Sequence, residues 1–348
     1  MQTIIVTGGA GYIGSHTIIE LINQTTYDVI SIDNFSNSTP QTFDRIETIT
    51  GKRIRNLNVD ICNLEALEFA ISSVKSPILG IIHFAAFKAV GDSVLNPLSY
   101  YHNNLESLVN MLKICKLKNI QNFIFSSSCS VYGNVDQLPV TEETPFAPAE
   151  SPYAHTKQIG EEILNDVVLS GAKMKVAALR YFNPIGAHAT GLIGELPLGV
   201  PNNLIPFVTQ AAAGIRSHLT VFGSDYPTPD GTCLRDYIHV VDLAEAHVLA
   251  LKFLFGIKEP SYYDVFNIGT GNANSVKEVI DTFERVNKIK VPNVIGERRQ
   301  GDIPTLWADV KKAKNILLWE AKLSLEQSLM DAWRWQSKLN TARVIEKI

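Results

Sequence analysis

Tyr153 and Lys157, in the run Ser151-Pro152-Tyr153-Ala154-His155-Thr156-Lys157, stand four residues apart, a spacing that puts both on one face of a helix. A lysine beneath a tyrosine favours the phenolate by charge proximity and turns a weak acid into a usable base. Upstream, Gly8, Gly11 and Gly14 are spaced G-x-x-G-x-x-G directly after the apolar run Thr3 to Thr7. A loop that follows a strand and opens a helix offers backbone amides and a helix dipole to a pyrophosphate. Together the two motifs point to redox chemistry on a bound nicotinamide. The loop alone is weak evidence, because an unliganded strand-to-helix turn has the same composition. Asp33 strengthens it: the residue ends the run Val29 to Asp33, about 20 residues beyond the loop, where a carboxylate accepts hydrogen bonds from the adenosine ribose. Its charge would repel a 2′-phosphate, so NAD is expected rather than NADP. Asp60, ending Arg55 to Val59, is placed to meet the adenine amino group or, equally, to cap a helix.

These residues need a frame, and the chain supplies one. β-Branched or apolar runs recur at Thr3 to Thr7, Val29 to Ile32, Gly80 to Phe84, Phe123 to Ser126 and Val176 to Leu179, each followed by a helix-compatible stretch. That alternation predicts an α/β fold, a doubly wound parallel sheet of the Rossmann kind, with strands apolar throughout because helices cover both faces. It occupies residues 1–182. From Asn183 to about Pro229, prolines alternate with glycines, and a helix is expected only around Leu204 to Gly214. Residues 183–348 are read as mainly a smaller mixed α/β substrate-binding domain, with 236–268 returning to the first.

Composition narrows the function classes. The 348 residues carry 31 Lys and Arg against 35 Asp and Glu, a net charge of −4, which gives no electrostatic case for nucleic acid or an anionic membrane. Cys62, Cys115, Cys129 and Cys233 lie far apart, with neither Cys-x-x-Cys nor paired histidine spacing, so they read as reduced cytoplasmic thiols without a metal. Because Met1 to Val6 runs straight into the glycine loop, the first strand leaves no room for a signal peptide, and no apolar run is long enough to span a bilayer. His83 and His239 read as core histidines, and His155 lies on a different helix face from the tyrosine and lysine.

Many further runs match one family: Thr7 to His16, Asp33-Asn34, His83 to Val90, Ser126-Ser127-Ser128, Val131-Tyr132-Gly133, Arg180 to Pro184, Pro201 to Pro206, Asp230-Gly231-Thr232 and Arg235 to Val240. On these the chain resembles, over nearly its whole length, the extended short-chain dehydrogenase/reductases, and within them the UDP-galactose (UDP-glucose) 4-epimerases. The resemblance implies a tightly held NAD and a UDP-hexose substrate. Tyr153 would be the acid and base on the sugar 4-hydroxyl, Lys157 would hold the nicotinamide ribose and lower the Tyr153 pKa, and Ser128 would bridge substrate and tyrosine. Implied cofactor contacts are Gly8, Gly11, Tyr12, Ile13 and Gly14, then Asp33, Asn34, Ser36, Asn37 and Ser38, then Asp60, Ile61, Phe84, Ala85, Ala86, Lys88, Asn103 and Phe182. On the substrate side, Lys88, Asn183, Asn203, Leu204, Arg235 and Arg299 would meet diphosphate and sugar, Asp302 the uridine ribose, and Thr220, Val221 and Phe222 the uracil. An arginine fork suits a diphosphate.

Leu306 departs from the pattern. It aligns with a hexose-pocket position where tyrosine accompanies plain hexoses and smaller residues admit N-acetylated ones, so UDP-N-acetylhexosamines stay open as co-substrates. A 4,6-dehydratase would share the first oxidation, but it needs an Asp-Glu pair where this chain has Cys129-Ser130. A non-enzymatic NAD sensor could use the same fold, though it would have no need of Ser128, Tyr153 and Lys157. A homodimer is implied, joined through Asn96 to Leu117 and Ser151 to Ser170.

Overall fold

The computed structural model describes residues 2–299 and 302–345; Met1 of the first strand-like run, Gln300 and Gly301 within the 299–302 run, and 346–348 at the end of the second region lie outside the described residues. Strands β1 (Thr3–Thr7), β2 (Asp28–Ile32), β3 (Arg55–Leu57), β4 (Ile78–His83), β5 (Asn122–Ser126) and β6 (Lys175–Tyr181) come first. β7 (Asn183–Ile185), β8 (Leu219–Phe222), β9 (Leu234–Arg235) and β10 (Tyr237–His239) lie outside their sheet, and β11 (Tyr262–Ile268) rejoins it. The sheet order is β11-β6-β5-β4-β1-β2-β3, with every pairing parallel. This is the Rossmann arrangement, whose strand order reverses between β1 and β4, where the carboxyl ends of the strands leave a crevice.

Alternation along each strand builds two cores. Ile4 and Val6 face one cluster with Ile82, Ile124 and Leu179, while Ile5 faces the other with Ile30, Ile81 and Phe123. Helices Tyr12–Gln24 and Val240–Gly256 cover the first face. Helices Ser107–Lys118 and Pro152–Leu169 cover the second. Burial on both sides is why these strands are apolar at nearly every position.

A third cluster gathers Ile185, Ile205, Val208, Leu219, Val221, Phe283 and Leu329 among helices Leu204–Ala212, Val276–Asn287 and Leu325–Ile345. Small sheets edge it: β12 (Asn274–Ser275) and β14 (Thr305–Leu306) flank β9, and β13 (Asn293–Gly296) pairs with β8. Ser275 and Glu278 form a reciprocal capping box that starts helix Val276–Asn287.

The segment Asn96 to Leu117, named above for a dimer contact, is not one α-helix but three pieces: Pro97–Tyr101, a π-helical turn His102–Glu106, and Ser107–Lys118. The wider turn frees Asn104 to bond outside its own helix. Its Oδ1 accepts from the Phe87 N–H at 2.8 Å, and its Nδ2 donates to the Phe87 carbonyl and the Thr156 hydroxyl, both at 3.0 Å. Such turns concentrate at functional sites, and this one ties the loop after β4 to the helix that bears Tyr153.

Candidate active site

The cofactor end is built from backbone. Gly8 has φ +68°, and a Cβ there would lie 2.9 Å from the Ala85 nitrogen; a Cβ on Gly14 would lie 2.2 Å from the Gly8 carbonyl oxygen. Neither neighbour can yield, because both are main chain. No side chain caps helix Tyr12–Gln24. Tyr12, Ile13 and Gly14, whose N–H groups find no acceptor among the described residues, line a cavity of about 640 Å³. Unsatisfied amides at a positive helix end suit a diphosphate, so the residues present fit a dinucleotide.

Asp33 is at once a wall of the cavity and the organiser of the turn after β2. It lines the cavity, and its carboxylate accepts from the Ala10 and Phe35 N–H groups at 2.9 Å each and from the Ser38 hydroxyl at 2.8 Å. Those bonds hold Phe35 at φ +61°, a conformation that non-glycine residues seldom adopt. Asp60 also lines the cavity while accepting from the Cys62 N–H at 2.9 Å, so turn and wall are one residue. Asn34, Ser36, Asn37, Ser38, Ile61, Phe84, Ala85, Ala86, Lys88 and Asn103 complete that wall. Phe182 does not: it is 2 % exposed, packed with Val131, Tyr132 and Leu306.

Tyr153 and Lys157 open onto the same cavity, both buried on helix Pro152–Leu169. Ser151 caps that helix, accepting from the Ala154 N–H at 3.2 Å, and Pro152 occupies its first turn. The Lys157 ammonium lies 5.9 Å from the Tyr153 ring centroid and donates to the Ser126 carbonyl at 2.6 Å. Here the structure departs from expectation. Burial pushes the Tyr153 phenol up to about 12, Ser128 beside it pulling the other way, and burial brings Lys157 down to about 8 against the opposing charge of Glu161. In the protein by itself, desolvation of the phenolate is the largest influence on Tyr153 and outweighs the Ser128 hydrogen bond. Ser128 is 8 % exposed and stands behind the cavity wall.

On the substrate side the residues divide. Lys88 and Asn203 line the cavity, and both reach one carboxylate oxygen of Glu195, at 2.9 and 2.6 Å. Arg235 donates to the Leu234 carbonyl at 2.9 Å, Asn183 to the Asp236 carbonyl at 3.2 Å, and Arg299 to Asp302 at 2.6 Å, all away from the cavity wall. Leu204 begins its helix and packs on the third cluster. On β8, Phe222 is exposed with the Arg299 guanidinium 5.8 Å from its ring and Thr220 is half-buried, but the Val221 side chain turns into the third cluster. Strand alternation forces that: neighbours cannot share a face. Leu306 is 4 % exposed against Val131, Tyr132 and Phe182, so its side chain does not reach the cavity wall.

His83 and His239 behave as core groups, and His155 does not. His83 is buried and bonded to the Thr7 hydroxyl at 2.9 Å, His239 is buried 3.3 Å from Asp331, and exposed His155 meets the Tyr101 hydroxyl at 2.8 Å. Three residues missed from the sequence are Asn104, Glu195 and Glu161. Glu161, 2 % exposed, pairs with Arg180 at 2.6 Å two helical turns from Tyr153; only its i+4 spacing from Lys157 could have flagged it.

Residues 4–269 match the NAD dependent epimerase/dehydratase family. The chain belongs to that family. Among its members, the UDP-glucose 4-epimerase of Bacillus subtilis is 47 % identical over 336 residues, 97 % of each chain. A UDP-glucose 4-epimerase from Bifidobacterium longum, solved in complex with NAD+ and UDP, superposes with a TM-score of 0.92 at 44 % identity over 97 % of this chain and 98 % of that one. One from Stenotrophomonas maltophila, with bound NAD and formylated UDP-arabinopyranose, gives 0.93 at 41 % identity over 98 % and 100 %. Like those epimerases, this family member uses NAD. No helix among its described residues is long and apolar enough to cross a membrane.

Proposed function

We infer that the protein is an NAD-dependent UDP-hexose 4-epimerase that interconverts UDP-galactose and UDP-glucose through a 4-keto sugar. The observation that carries this reading is a buried Tyr153–Lys157 pair, flanked by Ser128, on the same cavity as the Gly8 to Gly14 loop. Bound NAD supplies a two-electron acceptor for the hydrogen on the sugar's carbon 4 and gives it back on the opposite face. Tyr153 takes the 4-hydroxyl proton and returns it. Lys157, fixed by the Ser126 carbonyl, holds positive charge near the phenol and orients the nicotinamide ribose. Lys88 and Asn203 meet the diphosphate and sugar at the cavity wall, while Asn183, Leu204, Arg235, Arg299, Asp302, Thr220 and Phe222 lie beyond that wall and are assigned to the UDP end by the family resemblance alone. A firm grip on UDP with a loose one on the hexose lets the keto sugar turn over. Elimination, as in a dehydratase, lacks its acid and base, because Cys129 and Ser130 follow Ser128 where carboxylates would be needed.

Purified protein should convert UDP-galactose to UDP-glucose without added NAD, resolved by chromatography. No conversion even with NAD supplied sinks the epimerase reading. UDP-N-acetylgalactosamine is the open co-substrate: Leu306 packs on Val131, Tyr132 and Phe182 behind the cavity wall, and an added apolar group in the pocket would shift kcat/KM by roughly 10–200-fold. An N-acetylated sugar left untouched makes the pocket narrow.

The working unit is a homodimer in a reducing cytoplasm. Apolar Val94, Leu95 and Leu98 are 58, 80 and 81 % exposed beside helices Pro97–Tyr101 and Pro152–Leu169, a surface that suits a self-complementary helical contact. Free Cys62, Cys115, Cys129 and Cys233 suit that compartment. Sedimentation should give twice the chain mass, and L98E should lower it; a monomer at micromolar concentration refutes the dimer.

A further inference from the structure

Ser128 stands two residues beyond β5 and opens the short helix Cys129–Tyr132, with φ −156° and ψ 148°. Its oxygen receives two donors from one residue: the Ser130 N–H at 3.2 Å and the Ser130 hydroxyl at 3.0 Å. A serine oxygen has two lone pairs and one proton to offer. The backbone contact alone would be an ordinary turn; the second bond, from the side chain, is what changes the chemistry.

We propose that Ser130 is a positioning residue for the epimerisation, one that fills both lone pairs of the Ser128 oxygen and leaves Ser128 only its own proton to give. The proposal rests on Ser128 and Tyr153 acting at the sugar's 4-oxygen, as inferred above. An oxygen so occupied cannot take up the substrate's proton, so Ser128 is not a relay. When the sugar is oxidised, its O4–H bond breaks and the proton passes directly to the Tyr153 oxygen. The electron pair left on O4 forms the carbonyl as the hydrogen on carbon 4 departs as hydride to the oxidised nicotinamide. Throughout, the Ser128 hydroxyl donates toward O4, and it stabilises that atom most when it carries the most negative charge. The reverse step returns the same proton from Tyr153.

Without the Ser130 hydroxyl, the Ser128 oxygen gains a free lone pair and can accept from the Tyr153 hydroxyl. That contact stabilises the protonated phenol, and the base becomes harder to form. With no sugar in place, the one Ser128 proton is turned to Tyr153, whose pKa Ser128 pulls down against burial; the substrate's O4 takes over that hydrogen bond.

Ser130→Ala, Ser130→Thr and Ser128→Ala are compared in kcat, KM and the pH profile of kcat, with thermal unfolding as a check on folding. In Ser130→Ala, kcat should fall roughly tenfold, the worth of one hydrogen bond, with KM little changed. Its acid limb should move to higher pH, because the phenol holds its proton more tightly. Ser130→Thr keeps a hydroxyl at the same place and should restore both. An Ser130→Ala enzyme with unchanged kcat and limb overturns the proposal, and so does a slower one whose limb stays put and which threonine does not rescue. Should Ser128→Ala itself run at full speed, the assignment of Ser128 fails instead, and the two failures stay distinct.

Discussion

Replacing Tyr153 by phenylalanine should lower kcat by about 10²- to 10⁴-fold, the range a positioned acid-base group supplies, while the protein still folds and still carries its cofactor. The phenyl ring keeps its buried place, 9 % exposed on a helix whose cap and first-turn proline are untouched. Only the proton acceptor disappears. The pH dependence follows from the same geometry. Burial holds the Tyr153 phenol up at about 12, so at neutral pH the protein alone keeps it protonated. With Tyr153 as the proposed base, the deprotonated form is the active one, and kcat should rise with pH until the phenol has ionised in the loaded enzyme. Positive charge from Lys157, and from the oxidised cofactor when bound, moves that limb downward. Lys157 is brought to about 8 by burial, so above that pH it begins to lose the charge that assists Tyr153. The product of the two ionisations is a maximum in kcat. Steady-state rates from pH 5 to 10 would read it, and a Tyr153→Phe enzyme within tenfold of the parent would exclude the tyrosine as base.

The second large effect is expected from Glu161. Its carboxylate meets Arg180 at 2.6, 3.0 and 3.2 Å, with both side chains no more than 6 % exposed, and it also accepts from the Ser127 hydroxyl. Burial lowers the Arg180 pKa, but the Glu161 bond and charge outweigh it and hold the guanidinium firmly charged between the Tyr132 and Phe146 rings, 5.0 Å from each. Glu161→Gln leaves that cation buried without a counter-charge, at a cost of about 3–5 kcal/mol in unfolding free energy. It also removes the carboxylate that supports the Lys157 charge one turn away, so kcat should fall as well. Urea unfolding and steady-state rates would measure the two losses separately. Glu161→Met with Arg180→Met, which removes both charges, should recover much of the stability and little of the rate. A Glu161→Gln protein as stable as the parent would show the pair to be indifferent.

Local spacing carried much of this enzyme into view before any coordinates. The Gly8, Gly11 and Gly14 triplet, Asp33 and the Tyr153–Lys157 step are short-range patterns: a turn needing φ above zero, a strand end, one helical turn. The apolar runs announced a parallel sheet because strands buried on both faces cannot alternate with polar residues. The chain's reading stopped where long-range pairing began. The texture of 236–268 brings that stretch back to the first domain, but that helix Val240–Gly256 lies on Tyr12–Gln24 and that β11 pairs with β6 depends on partners far along the chain. The π turn that turns Asn104 to Phe87, the Glu195 oxygen shared by Lys88 and Asn203, and the inward side of Val221 have no local signature. The proton affinity of Tyr153 is equally invisible to spacing, which records that a lysine is near and not how much water has left. By itself, then, the sequence determined which groups could do the chemistry and the kind of sheet that holds them. Their burial, their orientation and their proton affinities were decided only by tertiary structure, because desolvation and long-range hydrogen bonds exist only once distant segments have packed.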